Sequence, residues 1–462
     1  METNNDRLIT MPVSRLLLKF SLPAIGGMII NSLYNLVDRI FVGRIGGLAM
    51  TGIGLSLPFM MMLFAVSSLV GIGASALISI KLGENNKDEV KGLLGNAITL
   101  LIGLMLLMTL LGLIFMTPIL QAFGASEATM PYAVDYMTVI LYGAVFQGIG
   151  TGLLNVVRAA GHPVKSMVIV LVGTLINIIL DPILIFTFDM GIAGAAWATI
   201  IAQLVTTIMV IQHFLSEKSP MKIETNKLKL RLVTIKSILS IGFAPFIMQL
   251  SSVVVSIISN NALKTHGGDV AIGAMTIINS VMVLFLMSAM GVTQGAAPII
   301  GFNYGAKRFD RVKQILKLEL VAVSAICTIT FILVQGFPVM LSSIFTNEAD
   351  LISKASTGMR LFLLMLPLLS AQIVGANYFQ AIGEAKKASF LGLSRQVLFL
   401  IPLLLILPNF LGLNGVWGAG ALSDLISSLI AIIALKSTLN HLNKLENEYR
   451  SEEYHILPSA AV

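Results

Sequence analysis

Apolar residues fill this chain in stretches of about twenty to thirty, broken by short polar connections. Taken in order they fall near 16–43, 50–80, 91–121, 131–160, 163–188, 192–216, 235–264, 270–303, 312–344, 348–382, 385–408 and 414–440. Roughly twenty apolar residues in a helix cross a bilayer, so the pattern predicts an all-α integral membrane protein with about twelve transmembrane helices. The first stretch is long and has no small-residue cleavage pattern after it, so it reads as a retained span and not a leader.

Composition narrows the class. Of 462 residues, 56% are hydrophobic and 11% charged, with a mean hydropathy of +0.90, which excludes an ordinary soluble domain. The net charge of +7 is not a nucleic-acid footprint, because the basic residues sit in span-flanking loops. Arg15 and Lys19 open the first span, Lys81, Lys87 and Lys91 separate the second from the third, and Lys307, Arg308, Arg311 and Lys313 lie between the eighth and ninth. The opposite loops carry Arg44 and Lys264 beside Glu127, Asp189 and Asp269. By the positive-inside rule both termini and the central loop are cytoplasmic, in the cell's inner membrane. Cys327 is the single cysteine and the five histidines are scattered, so neither a disulfide framework nor a zinc spacing is present.

The chain also repeats. A shift of 222 residues superposes Pro23 on Pro245, Gly73 on Gly295, Gly83 on Gly305, Asn155 on Asn377 and Gly161 on Gly383. Each half holds six spans, an even number, so the halves enter the membrane in the same direction. The expected organisation is an N-lobe over 1–215, a cytoplasmic linker over 216–234, a C-lobe over 235–440 and a cytoplasmic tail over 441–462. A cleft between two such six-helix bundles is the natural place for a substrate.

Polar residues inside the apolar runs carry the candidate chemistry. Asn177 and Asp181 are four apart, so a helix stacks them on one face. Pro182, lacking an N–H, frees the carbonyl of Ile178. Amide, carboxylate and carbonyl are oxygen donors suited to a proton or to Na⁺. Asp38 in the first span, Asp181 in the fifth and Thr199 in the sixth lie at a similar depth, roughly 10–12 Å below the outer boundary at 1.5 Å per residue, so they can meet. Two plainer readings stand beside this one: a buried acid satisfied by a neighbouring hydroxyl, and an ion pair of Asp38 with Arg39. Under the repeat Asp38 matches Asn260 and Asp181 matches Leu403, so the acids of the first half have no acidic counterparts. Asp424 is expected to be the single deep acid of the second half, either in the substrate path or bonded to a nearby serine. Pro23, followed by Gly26 and Gly27, makes the first span the hinge candidate.

The glycines of Gly71-Ile72-Gly73 lie inside a span with no strand before them, so they read as close helix packing and not as a dinucleotide loop. No Gly-x-x-x-x-Gly-Lys-[Ser/Thr] occurs, so transport would draw on an ion gradient. Methionines such as Met282, Met287 and Met290 pack helices or line a cleft with polarisable walls.

Several motifs together resemble the multidrug and toxic compound extrusion (MATE) family, in particular its prokaryotic MepA/DinF-like branch. They are Arg158-Ala-Ala-Gly161, Asn177-x-x-x-Asp181-Pro182, Gly191-x-x-Gly194-Ala-Ala-x-Ala-Thr199, and Val37-Asp38-Arg39-x-Phe41-Val42-Gly43-Arg44-x-Gly46. The resemblance implies the MATE fold of two pseudo-symmetric six-helix bundles and an antiporter, not an enzyme, with no cofactor. It implies that Asp38, Asn177, Asp181 and Thr199 bind the coupling Na⁺ or H⁺. Positions that carry acids in other branches fall here on Val253 and Ala371. Met28, Asn31, Tyr34, Met287 and Asp424 are candidate substrate-cavity residues. The expected partners are small organic, drug-like molecules and membrane lipids, with no nucleic acid, and the expected state is a monomer. A lipid-linked saccharide flippase of the same superfamily is the alternative, for which Arg360 and Arg395 are the candidate cationic residues.

Overall fold

The computed structural model describes residues 8–216 and 221–456, with side chains throughout except at 33–36, 39, 40, 43, 47, 284 and 450–456. Every regular element among the described residues is helical. The first half supplies α1 (Val13–Gly43), α2 (Gly47–Gly83), α3 (Lys87–Ile114), α4 (Met130–Ala159), α5 (Pro163–Pro182) and α6 (Gly191–Leu215). The second supplies α7 (Leu232–Gly305), α8 (Phe309–Gly336), α9 (Ala349–Phe362), α10 (Leu366–Ala381), α11 (Ala385–Leu393, prolonged by Ser394–Leu400 and Ile401–Ile406) and α12 (Leu413–Ile456).

Ten helices are long and apolar enough to cross a bilayer, and α9 with α10, bent by 55°, makes an eleventh span. The 74-residue α7 would be roughly 110 Å long if straight, more than twice a membrane. It breaks at Gly268, where φ is 67° and ψ −167°, a conformation for which glycine is suited. Leu263 before the break and Ala271, Ala274 and Met275 after it share one apolar core, so α7 counts as two passes. Among the described residues the passes therefore number twelve, as the hydropathy pattern predicts.

The chain divides into two compact units. The first comprises Leu22–Leu82 and Asn86–Leu250; the second takes the chain up to Ser21, then Gly83–Asn85, then everything from Ser251. In the first unit α2 is the central post. A Cβ at Gly71 would overlap the backbone of Gly152 on α4, while Cβ atoms at Gly73 and Gly242 would overlap the carbonyl oxygens of Ile238 and Leu69. Glycine thus lets α2 touch α4 on one side and the opening turns of α7 on the other, backbone to backbone. Phe59, Leu63, Met105, Tyr136 and Ile140 fill the core beneath.

The second unit repeats this seam with the chain exchanged. A Cβ at Gly295 would stand 2.6 Å from the Ser21 nitrogen, and Ser21 Oγ donates to Val292 O at 3.4 Å. The opening turns of α1 thus pack on the later pass of α7, as the opening turns of α7 pack on α2. Both hand-overs, at Ser21/Leu22 and at Leu250/Ser251, lie close to a proline, Pro23 or Pro245. Each proline deprives a carbonyl four residues earlier of its helical donor.

Two basic segments that read as solvated flanks are in fact built into the structure. Arg311 is only 8% exposed: its Nη2 donates to Leu8 O at 3.2 Å and Met11 O at 2.7 Å, and its Nε to Asn303 Oδ1 at 3.0 Å. It ties the start of the chain to the second unit. Arg311→Met leaves these acceptors without their charged donor, at about 1.5–3 kcal/mol; proteolysis near residue 11 should accelerate while the rest of the chain resists. In the first unit the central connection lies along α3. Arg231 N–H donates to Asn96 Oδ1 at 2.7 Å, Thr99 Oγ1 to Leu228 O at 2.9 Å, and Lys91 pairs with Glu224 at 2.6 Å.

Candidate functional site

The site grows from the end of α5. Pro182 closes the α-helix, and the next turn, Ile183–Thr187, widens to π geometry, with Phe188 N–H bonded to Ile183 O at 3.0 Å. A missing N–H at Pro182 and a widened turn after it are two halves of one adjustment. Across from it, α6 begins at Gly191 with φ 55°, and a Cβ at Gly194 would stand 2.8 Å from the Leu184 carbonyl. The two helices therefore close to backbone contact, which sets Thr199 level with Asn177.

Asp181 is fully buried, Asn177 is 2% exposed and Thr199 5%. In the amide orientation that satisfies both partners, Asn177 donates to Asp181 Oδ2 at 2.9 Å and accepts from the Thr199 N–H at 3.2 Å. The Thr199 hydroxyl lies 3.4 Å from the same amide. Asp181 Oδ1 is buried with no hydrogen-bond partner among the described residues. Asp38, half-buried on α1, lies within electrostatic reach of Asp181. Two carboxyl groups, an amide and a hydroxyl thus share one neighbourhood, with one carboxyl oxygen uncommitted. Such a donor set fits a proton or a hard monovalent cation.

A cavity of about 600 Å³ opens beside it within the first unit, lined by Asn31, Asn177 and Thr199 together with Gln147, Thr174 and Gln203. The first three are sequence candidates; the others were not. Gln147 Oε1 is buried and has no partner among the described residues. Their signal lay in the sequence as polar side chains recurring at helical spacing inside apolar runs, Gln147 with Thr151 and Gln203 with Thr206. Met28 is half-buried and does not line the cavity, and Pro23 is buried in α1. The side chains of Tyr34 and Arg39 lie outside the described residues.

In the second unit Met287 is half-buried. Asp424, 2% exposed, is paired with Arg395, whose Nε lies 2.5 Å from its Oδ1. The partner is an arginine on α11, not a serine. One expectation needs correction: Asp424 is not the single deep acid of the second half. Glu319 on α8 is fully buried, takes a 2.9 Å hydrogen bond from Asn377 Nδ2, and leaves Oε2 without a partner among the described residues. Near the start of an amphipathic helix and close to Lys317, it reads as a flanking charge; the rotation of α8 turns it inward. The 222-residue offset sets Ala97 against Glu319, but Asn377 against Asn155, whose Oδ1 accepts from Arg158 Nη2 at 2.8 Å. Equivalent asparagines thus hold a cation in one half and an acid in the other.

The MatE family profile matches residues 23–183 and again 243–406. The chain belongs to the MatE family. The second MatE match starts 220 residues after the first, in keeping with the internal repeat, and the first ends just past Asp181-Pro182. Multidrug export protein MepA of Staphylococcus aureus (strain MSSA476) is 27% identical over 91% of this chain and 93% of its own length. Its namesake from Staphylococcus saprophyticus is 27% identical over 90% and 92%. A crystal structure of MATE in the bent conformation superposes with a TM-score of 0.90 at 22% identity, covering 97% of this chain and 100% of that one. The fold is the all-α membrane fold of MATE transporters.

Proposed function

We propose that this MatE protein is an ion-coupled antiporter that exports drug-like, cationic amphiphilic molecules by alternating access. The observation that carries the reading is Asp181 Oδ1, a carboxyl oxygen buried without a partner beside a cavity that shares Asn177 and Thr199. The names of the MepA relatives supply the export of multiple drugs. In this scheme Asp38, Asn177, Asp181 and Thr199 receive H⁺ or Na⁺ from outside. Filling the site removes negative charge that holds a cationic substrate, so the two ligands disfavour one another, and the coupling free energy is reciprocal.

The rest of the machinery follows as part of the same reading. The lobes are 1–215 and 235–440, joined by 216–234, with 441–462 as the tail. Both termini face the cytoplasm in the inner membrane, the working unit is a monomer, and Pro23 is the hinge. Asn31, which borders the cavity, and Met28 and Met287 are assigned to the substrate path, while Asp424, paired with Arg395, takes the packing role. The flippase alternative finds less support, because Arg395 is committed to Asp424. The test is dye uptake into inverted vesicles under separately imposed Na⁺ and pH gradients. Uptake driven by one gradient supports coupling and names the ion; uptake indifferent to both rejects it.

A further inference from the structure

At one end of the second unit two cavities adjoin. The first, of about 790 Å³, has a mixed lining, with polar groups supplied by Tyr304, Tyr378, Thr438 and His441. The second, of about 480 Å³, is almost wholly apolar, running between α11 and α12 past Phe390, Leu391 and Ile430. They share Phe379, Lys387 and Ala434, and Lys386 stands beside the apolar one. Phe390 is 51% exposed on a helix long and apolar enough to cross a membrane, so the groove is open along the outer face of that helix.

The polar end is supplied with donors that the protein leaves unused. Tyr378 is 1% exposed, yet its hydroxyl has no hydrogen-bond partner among the described residues although it borders the cavity. Ser437, Thr438, His441 and Lys386 likewise have none. Lys387 reaches Glu384 at 3.6 Å across an exposed gap and lies over the Phe379 ring. Glu384 is the one carboxylate on the rim, and two lysines outweigh it. Buried hydroxyls normally find partners, and hydroxyl and ammonium donors converging beside an apolar groove match a phosphate joined to an acyl chain.

We propose that this pair of cavities is a binding site for one anionic phospholipid, the headgroup phosphate among Lys386, Lys387 and Tyr378 and an acyl chain in the groove along Phe390 and Ile430. The site belongs to the second unit, apart from Asp181 and its cavity, and stands whether or not the antiport reading holds.

The test is native mass spectrometry of the full chain in detergent with equal amounts of phosphatidylglycerol and phosphatidylcholine. Phosphatidylglycerol should be retained preferentially, and Lys386→Gln with Lys387→Gln should reduce its retention by about fivefold per lysine, the effect of one basic residue beside anionic lipid. Tyr378→Phe keeps the ring and its packing, so it should lower phosphatidylglycerol retention without moving the thermal midpoint. Lys354→Gln, a lysine paired with Asp350 outside both cavities, should change nothing. Equal retention of the two lipids, or retention unaffected by the lysine and tyrosine substitutions, overturns the proposal. So does displacement by glycerol phosphate as effective as by the diacyl lipid, because the apolar groove would then contribute nothing.

Discussion

Asp181→Asn should abolish ion-driven efflux while the protein remains folded in the membrane, because the coupling between ion and substrate is lost with the acid. The substitution keeps an oxygen to accept the Asn177 amide and nearly the same volume, so the fold has little reason to respond. What it removes is the acid itself. A neutral amide takes up no proton, and its single oxygen attracts Na⁺ far less than a carboxylate. Asp38→Asn should act in the same direction, being the second charge in reach. The measurement is dye efflux from energised cells, normalised to protein in the membrane fraction. Undiminished gradient-driven efflux in Asp181→Asn would sink the assignment of the site.

The second large effect is structural. Gly242→Ala should destabilise the first unit by about 3 kcal/mol or more, at or beyond the upper end of ordinary overpacking. A Cβ at that position overlaps the Leu69 carbonyl oxygen, a backbone atom, so no side chain can rotate away and α2 and α7 must separate. Gly73 faces the same seam from the other side against Ile238 O, leaving little room for a compensating shift. Gly103→Ala provides the contrast. It lies in α3 with nothing within 4 Å, so it should be neutral, or stabilising by about 0.5–1 kcal/mol through helix propensity. Thermal midpoints of detergent-solubilised protein separate the two; equal midpoints would mean that the seam is not tight.

These predictions draw on unequal shares of sequence and structure. The spans were legible because a bilayer leaves a chain few options: backbone groups must bond within the segment, so about twenty apolar residues in a row become a crossing helix. The small residues of α2 were legible as packing positions for the same reason, since glycine in a span costs helix propensity and is kept where backbones meet. Asn177 and Asp181 stood out as polar groups where none is cheap. Glu319 did not, because hydropathy reads a position along the helix and not its rotation. Ten residues into α8 and beside Lys317, it has the local context of a solvated flank, yet α8 turns it onto Asn377. Arg311 has the sequence context of a loop charge for the same reason, since its carbonyl partners lie about three hundred residues away in the chain.

The sequence by itself determined the number and order of the membrane passes, the duplication, and two acids of the first half that lack counterparts in the second. Those follow from local rules, the length of an apolar run and the fixed offset of a repeat. Only the tertiary structure decided which polar atoms face one another: that Asn177 bridges Asp181 to Thr199, that Gln147 and Gln203 share their cavity, that Asp424 is tied to Arg395, and that Glu319 is buried. The physical reason is that burial and hydrogen bonding depend on how each helix is rotated and how closely its neighbours approach. That is settled by glycine contacts such as Gly194 on Leu184 and Gly242 on Leu69, between residues whose partners no local pattern names.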